Sequence, residues 1–244
     1  MDAEALSRTA LLLGSDAVGL LADAHVLVVG VGGVGAYAAE VVARSGVGAI
    51  TIVDGDTVAP SNLNRQLPAL VSTLGEPKVE VMRRRILDIN PECRVEACCG
   101  FIAPDDVAAM LDRLRPDFVI DAIDSIAPKV ALIETCLRRK VKIVSSMGAG
   151  GRTDPQKVRY ADISETVHDG LAREVRHRLR CSGISKGLKV VFSTEQPRKA
   201  SLVLTDEIAF KRSSFGTVSW IPAQFGLMLG AYAVGRLSGC PVKA

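Results

Sequence analysis

Apolar residues along this chain come in short blocks separated by glycines and polar turns. Val26–Val29, Ile50–Val53 and Phe118–Asp121 are runs of four residues rich in β-branched side chains, and Arg94–Cys98 and Lys142–Ser145 are shorter-range versions of the same pattern. Continuous apolar runs of this length read as strands buried on both faces. Between them the apolar positions recur at three- and four-residue spacing, which predicts helices over Val34–Ser45, Lys78–Asn90, Pro104–Arg115 and Pro128–Arg139. Strand and helix alternate through the first 150 residues. That alternation predicts an α/β, Rossmann-like fold with a mostly parallel sheet and helices on both faces. Ligands of such sheets bind beyond the carboxyl ends of the strands.

After Gly151 the pattern loosens. Tyr160–Ile163 and Val190–Thr194 read as strands, Leu171–Arg180 as a basic helix and Val218–Leu237 as an apolar one, with loops near 181–188 and 195–216. The uncharged stretch Thr217–Gly235 approaches membrane-spanning length. It also carries Pro222, Gln224 and three glycines, so a helix buried in the core is the expected outcome. No segment has the composition of a linker. One domain is expected, with residues 1–25 as an N-terminal helical arm, 26–150 as a nucleotide-binding half and 151–244 as a second half.

Composition supports this picture and narrows the setting. The chain has 244 residues, 48% hydrophobic and 23% charged, which suits an ordered globular protein with a substantial core. None of the six cysteines forms a C-x-x-C pair, which argues against a zinc ribbon or a redox pair. The N-terminus lacks a basic segment followed by an apolar one, so an export signal is not expected. A cytoplasmic protein with reduced thiols is the reading.

The candidate chemistry starts at "VLVVGVGGVG", residues 26–35. Gly30, Gly32 and Gly35 have G-x-G-x-x-G spacing, with Gly33 in addition, between a predicted strand and a predicted helix. Such a turn holds phosphate on backbone amides and a helix N-terminus. Asp54 closes the next strand, 19 residues beyond Gly35, where a carboxylate binds ribose hydroxyls. NAD and ATP fit these residues equally. The residues that follow favour ATP: Arg65 and Lys78, with Asn62 and Asn64, form a donor set suited to a triphosphate, and Asp121 and Asp124 end the fourth strand where carboxylates can hold Mg2+ against phosphates.

The segments "GVGGVG", "DGDTVAPSNLNRQ", "GEPKVE" and "DAIDS" resemble the adenylating superfamily of ubiquitin-activating-type enzymes, which includes the activators of molybdopterin and thiamine sulfur carriers. The resemblance implies that Asp54 and Asp56 lie at the ATP site, with Asp54 on the ribose. It implies that Asn62, Arg65 and Lys78 contact the phosphates and that Asp124 positions Mg2+. It also implies a homodimer in which Arg8 reaches the neighbouring ATP site, so that Arg8, Arg65, Lys78 and Asp124 are the catalytic set. The reaction implied is attack of a substrate carboxylate on the α-phosphate with loss of pyrophosphate, driven by positioning and charge stabilisation. Cys181, in "RLRCSGISKG", is read as a bystander rather than an acyl-accepting thiol.

The second half, through "SSMGAGGRTDP", "SKGLKVVFSTEQP" and "GTVSWIPAQFGL", resembles the tRNA threonylcarbamoyladenosine dehydratases. These activate the carboxylate on adenosine 37 of tRNA and close it into a ring. The resemblance makes 151–244 the substrate-facing and dimer half. Some members have a cysteine where this chain has Lys211, Arg212, Ser213 and Ser214, so a sulfur-transfer partner is not expected. Charge distribution points independently to a polyanion. The net charge is only +3, yet residues 171–199 hold eight Lys or Arg against two acids, Glu174 and Glu195. Arg173, Arg176, Arg178, Arg180, Lys186 and Lys189 are the expected tRNA contacts, through phosphate rather than base. The alternatives are an activator of a ubiquitin-like sulfur carrier, an NAD-dependent oxidoreductase and a non-enzymatic nucleotide-bound scaffold.

Overall fold

The computed structural model describes residues 1–208 and 211–242, with backbone alone for Lys199, 202–208 and 211–214. Seven strands form one sheet: β1 (His25–Val29), β2 (Ala49–Asp54), β3 (Arg94–Cys99), β4 (Phe118–Asp121), β5 (Ile143–Ser146), β6 (Val158–Asp162) and β7 (Lys189–Ser193). Their order is β3-β2-β1-β4-β5-β7-β6, and only β6 runs antiparallel to its neighbour. Val29, the last residue of β1, pairs with Val53 on one side and Asp121 on the other. The strand order reverses here, which makes the end of β1 a topological switch point and the place where such sheets open a ligand crevice.

Alternation along each strand sends side chains to two cores. Val26, Val28, Ile50, Ile52, Phe118 and Ile120 join one; Leu27, Val29, Val53 and Val119 join the other. The first core is covered by α3 (Gly35–Arg44), α4 (Lys78–Ile89) and α8 (Trp220–Leu237), the second by α5 (Val107–Leu114), α6 (Ile126–Arg138) and α7 (Gly170–Cys181). Both faces are therefore helix-covered, as the continuous apolar strands require.

The apolar stretch at 217–235 is a core helix. Two of its three glycines are contacts with α3: a methyl group at Gly226 would lie 2.2 Å from the Val34 carbonyl oxygen, and one at Gly230 would lie 2.6 Å from Val41 Cβ. Phe225 and Leu229 are fully buried beside them. Among the described residues no helix is long and apolar enough to cross a membrane.

One feature differs from expectation. The segment 195–216 is not a plain loop: β8 (Leu202–Ile208) and β9 (Lys211–Phe215) pair antiparallel as a separate two-stranded ribbon. Its strands mix apolar residues with Thr, Asp, Glu, Lys and Ser, so they lack the continuous apolar run that marked the central strands. The side chains of Lys211, Arg212, Ser213 and Ser214 lie outside the described residues. The N-terminal arm is two helices, α1 (Ser7–Leu13) and α2 (Ser15–Asp23). Leu6 anchors it by packing over Gly46, just beyond the end of α3, while α1 itself buries no residue.

Candidate nucleotide site

The glycine turn leaves β1 and opens α3. Gly30 has φ +87°, and a methyl group there would meet the Ala122 carbonyl oxygen at 2.8 Å. A methyl at Gly35 would sit 1.8 Å from the Gly30 carbonyl oxygen. These two glycines are demanded by the fold itself. Gly32 is different. A methyl there would approach nothing closer than the Gln66 side-chain nitrogen at 3.7 Å, an ordinary contact. The protein leaves this space open, which is the cradle expected where a phosphate must touch backbone.

Asp54 ends β2 beside the turn. One carboxylate oxygen accepts the Val31 amide at 2.8 Å, and the other accepts the Asp56 amide at 2.8 Å. Burial pushes its pKa up, against the lowering effect of those amides and of Lys78. Lys78 opens α4 as a buried cation whose Nζ lies 2.7 Å from the exposed Asp56 carboxylate. Asp56 thus holds the lysine, and Lys78 supplies positive charge to the Asp54 side of the crevice.

Arg65 stands across the turn. Its Cγ would be 3.5 Å from a methyl at Gly33, and its guanidinium donates to the Ser61 carbonyl and to Asn64 Oδ1, both at 2.8 Å. Burial lowers its pKa and the negative charge of Asp124 raises it. Arg65 and Asp124 therefore share one side of the crevice. Asn62 is buried and its Oδ1 accepts the Ala59 amide at 3.0 Å, closing the turn that presents Arg65. Asn64 is exposed: its Nδ2 donates one hydrogen to the Thr217 carbonyl at 3.1 Å, and its Oδ1 accepts from Arg65.

Asp121 does not join Asp124 as a second candidate metal ligand. It is fully buried, 2.7 Å from the fully buried Lys129 ammonium, and it also accepts Ser145 Oγ at 2.6 Å and the Ile123 amide at 3.0 Å. No group of three or more His, Cys, Asp or Glu suited to a metal occurs among the described residues. One carboxylate, Asp124, fits the way Mg2+ binds with few protein ligands and several phosphate and water oxygens.

Other expected residues are not brought to the crevice. Arg8 is exposed on α1, on the arm that Leu6 fixes near the far end of α3, about 15 Å down that ten-residue helix from the turn. The basic residues differ in their surroundings. Arg173 is exposed on the first turn of α7, near the carboxyl edge of the sheet. Arg176 is tied to the carbonyls of Ile163 and Thr166 and to Thr166 Oγ1, and Arg178 pairs with Glu174 at 2.8 Å. Arg180, Lys186 and Lys189 lie toward the opposite edge, where α7 ends and β7 begins. Cys181 is there too, which separates it from the crevice.

Three contributors escaped the sequence reading. Gln66 faces Gly32, and its Oε1 is buried with no hydrogen-bond partner. Its only signal was adjacency to Arg65. Pro222, on the first turn of α8, would lie 3.3 Å from a methyl at Gly33. It was read only as an interruption of an apolar run. Arg152, 3% exposed, bonds the carbonyls of Gly148, His168 and Glu195 and pairs with Asp169 at 3.2 Å. It pins the loop after β5 to the N-terminus of α7, and nothing in its spacing announced that.

A switch-point crevice with a glycine turn, an aspartate closing β2 beside it and two fixed cations defines a nucleotide-binding α/β protein of the adenylating type. A model described as the ThiF family matches residues 6–244, and the chain belongs to that family. It is 44% identical over 237 residues to the tRNA threonylcarbamoyladenosine dehydratase of Bacillus subtilis (strain 168), covering 93% of this chain and 92% of that one. Solved structures of the Escherichia coli tRNA N6-threonylcarbamoyladenosine dehydratase, TcdA, superpose with TM-scores of 0.88 for its AMP complex and 0.87 for its ATP complex. Their identities to this chain are 41% and 40%, and each comparison covers 97% of this chain and 95% of the other.

Proposed function

We propose that this protein is an ATP-dependent tRNA threonylcarbamoyladenosine dehydratase, which activates the carboxylate of the threonylcarbamoyl group on adenosine 37 and promotes its cyclisation. The observation that carries the reading is Arg65 lying over Gly33 with the charge of Asp124 beside it, opposite Lys78 and Asp54. Relatives of the same length with this name, one of them with ATP and AMP complexes, support it.

In this reading Asp54 takes the ribose hydroxyls, and the Gly32–Gly33 backbone and the N-terminus of α3 hold phosphate. Arg65 and Lys78 stabilise the negative charge that grows as the carboxylate attacks the α-phosphorus and pyrophosphate leaves. Mg2+ held by Asp124 would add positive charge at the phosphates. The step needs no protein nucleophile. The buried thiols of Cys93 and Cys136, pushed up to about 11 and about 12 by burial, stay protonated and take no part. Ring closure follows by attack of the carbamoyl group of the same substituent on the activated carbonyl, with AMP as the leaving group and one proton lost from the carbamoyl group. We place the reaction in the cytoplasm, with Arg173 as the tRNA phosphate contact nearest the crevice. The active form is a homodimer in which Arg8 of each protomer serves the other site.

The test is AMP release from ATP with threonylcarbamoylated tRNA, unmodified tRNA or a sulfur-carrier protein, followed by mass spectrometry of the nucleoside. AMP release with modified tRNA alone, with loss of one water from the nucleoside, is expected. Release that needs a carrier protein instead overturns the reading in favour of a sulfur-carrier activator. Arg65→Ala should lower kcat on the order of 100- to 1000-fold, as loss of a preorganised charge donor does.

A further inference from the structure

Trp220 is the only tryptophan of a chain with few aromatics, and it is 50% exposed at the first residue of α8. It is not loose. Its Nε1 donates to the Thr153 carbonyl at 2.9 Å. Thr153 is itself held, because its amide donates to Glu195 Oε2 at 2.9 Å and its hydroxyl accepts from the Arg198 guanidinium at 3.1 Å. The neighbouring Arg152 pins the same loop from within. One turn along the helix, Gln224 donates to the Pro155 carbonyl at 3.0 Å and fixes the same face. The indole therefore presents an aromatic surface in one orientation, with its only polar atom already bonded.

Its position gives this surface a use. Pro222, two residues on, touches the phosphate turn, and Thr217, three residues back, is bonded to Asn64 beside Arg65. Two residues along a helix is roughly half a turn, so Trp220 stands on the side of α8 away from Gly33, about one helix width (~10 Å) from the phosphate turn. Arg198, exposed next to Thr153, supplies a cation at the same place. A held, half-exposed indole beside a guanidinium is what single-stranded RNA recognition uses: a splayed base stacks on the ring while the cation meets its phosphate.

Building on the proposed function, we infer that Trp220 is a stacking platform for an unpaired base of the RNA substrate and so a specificity-determining residue for that substrate. The sole indole makes a direct test available in the unmodified protein. An anticodon stem-loop should quench the intrinsic fluorescence saturably. A fully paired RNA duplex of equal length and charge should quench far less, and ATP alone should leave the emission unchanged. Trp220→Ala should raise KM for tRNA on the order of 10- to 100-fold, with ATP affinity unchanged and kcat nearly so. Trp220→Phe, which keeps an aromatic face, should recover most of that loss.

Equal quenching by duplex and stem-loop, quenching by ATP alone, or a KM for tRNA within about twofold of the parent in Trp220→Ala would each overturn the inference. If the parent protein modifies tRNA and Trp220 proves indifferent, only the stacking role fails. If the parent does not modify tRNA at all, the proposed function fails first.

Discussion

At the residue scale the glycines of the turn divide by cause, and the division can be measured. Gly35 is required by packing, since a methyl group there would collide with the Gly30 carbonyl oxygen at 1.8 Å. Gly35→Ala should cost several kcal/mol or prevent folding, as forced overpacking at backbone does. Gly32 has room for a methyl in the protein alone, 3.7 Å from its nearest neighbour. Gly32→Ala should melt within a degree or two of the parent, yet weaken ATP binding at least roughly tenfold by filling the phosphate cradle. Calorimetric melting with titration of ATP separates the two effects. Equal loss of stability in both variants would mean that Gly32 is structural as well. The G-x-G-x-x-G spacing was legible in the sequence, but which glycine serves the fold and which the ligand was not, because that depends on Ala122 and Gln66, far away along the chain.

At the element scale, charge pairs tie helices to the sheet. Asp121 and Lys129 are both fully buried and join β4 to α6 just behind the crevice. Lys129→Met strands a buried carboxylate and should cost about 3–5 kcal/mol in denaturant unfolding. Adding Asp121→Leu should recover part of that loss. On the other face, Glu40 of α3 holds Arg85 of α4 by two hydrogen bonds, 2.6 and 3.0 Å, and pairs with Arg44 at 2.6 Å. Burial pushes the Glu40 carboxyl up, but the two guanidinium groups outweigh it and leave the pKa below its ordinary value. A depressed carboxylate contributes stability that is complete above its unfolded-state pKa and is lost as the pH falls through the folded-state value. Glu40→Gln should therefore lower stability at neutral pH by about 1–2 kcal/mol and flatten the acid side of the stability profile. An unchanged acid limb would assign the acid sensitivity to other groups. The strands and helices of the first half were readable because each obeys its own periodicity. The β8–β9 ribbon was not, because its strands intersperse Thr, Asp, Glu, Lys, Arg and Ser with apolar residues and lack a continuous apolar run.

At the scale of the whole molecule, Arg8 is the test of assembly. Within one chain it lies at the far end of α3 from the turn, on a helix that buries no side chain and leaves Leu11 and Leu12 at 88% and 84% exposure. If the arm completes a neighbour's site, Arg8→Ala and Arg65→Ala proteins should each be inactive alone. Mixed and allowed to exchange subunits, they should recover about a quarter of parent activity, since half of the dimers are mixed and each mixed dimer has one intact site. No recovery, with mixed dimers shown by mass spectrometry, would refute the shared site. The basic cluster teaches a related lesson. Four of its cations lie on α7, whose length carries them from Arg173 near the crevice edge to Arg180 near the opposite edge, and Arg176 is turned inward to backbone carbonyls.

By itself the sequence determined the sheet class, the phosphate turn and the identity of the residues around it, because local periodicity and backbone sterics act over a few residues. Which of those residues come together at the crevice is set by the tertiary structure. Asp54, Lys78, Arg65 and Asp124 converge because β2 and β4 end, and the 60–66 turn and the start of α4 lie, at one switch point. Asp121, equally polar and only three residues before Asp124, is consumed by Lys129, Ser145 and Ile123. A buried polar group must find a partner wherever the fold places one, and that placement is a property of packing between distant segments.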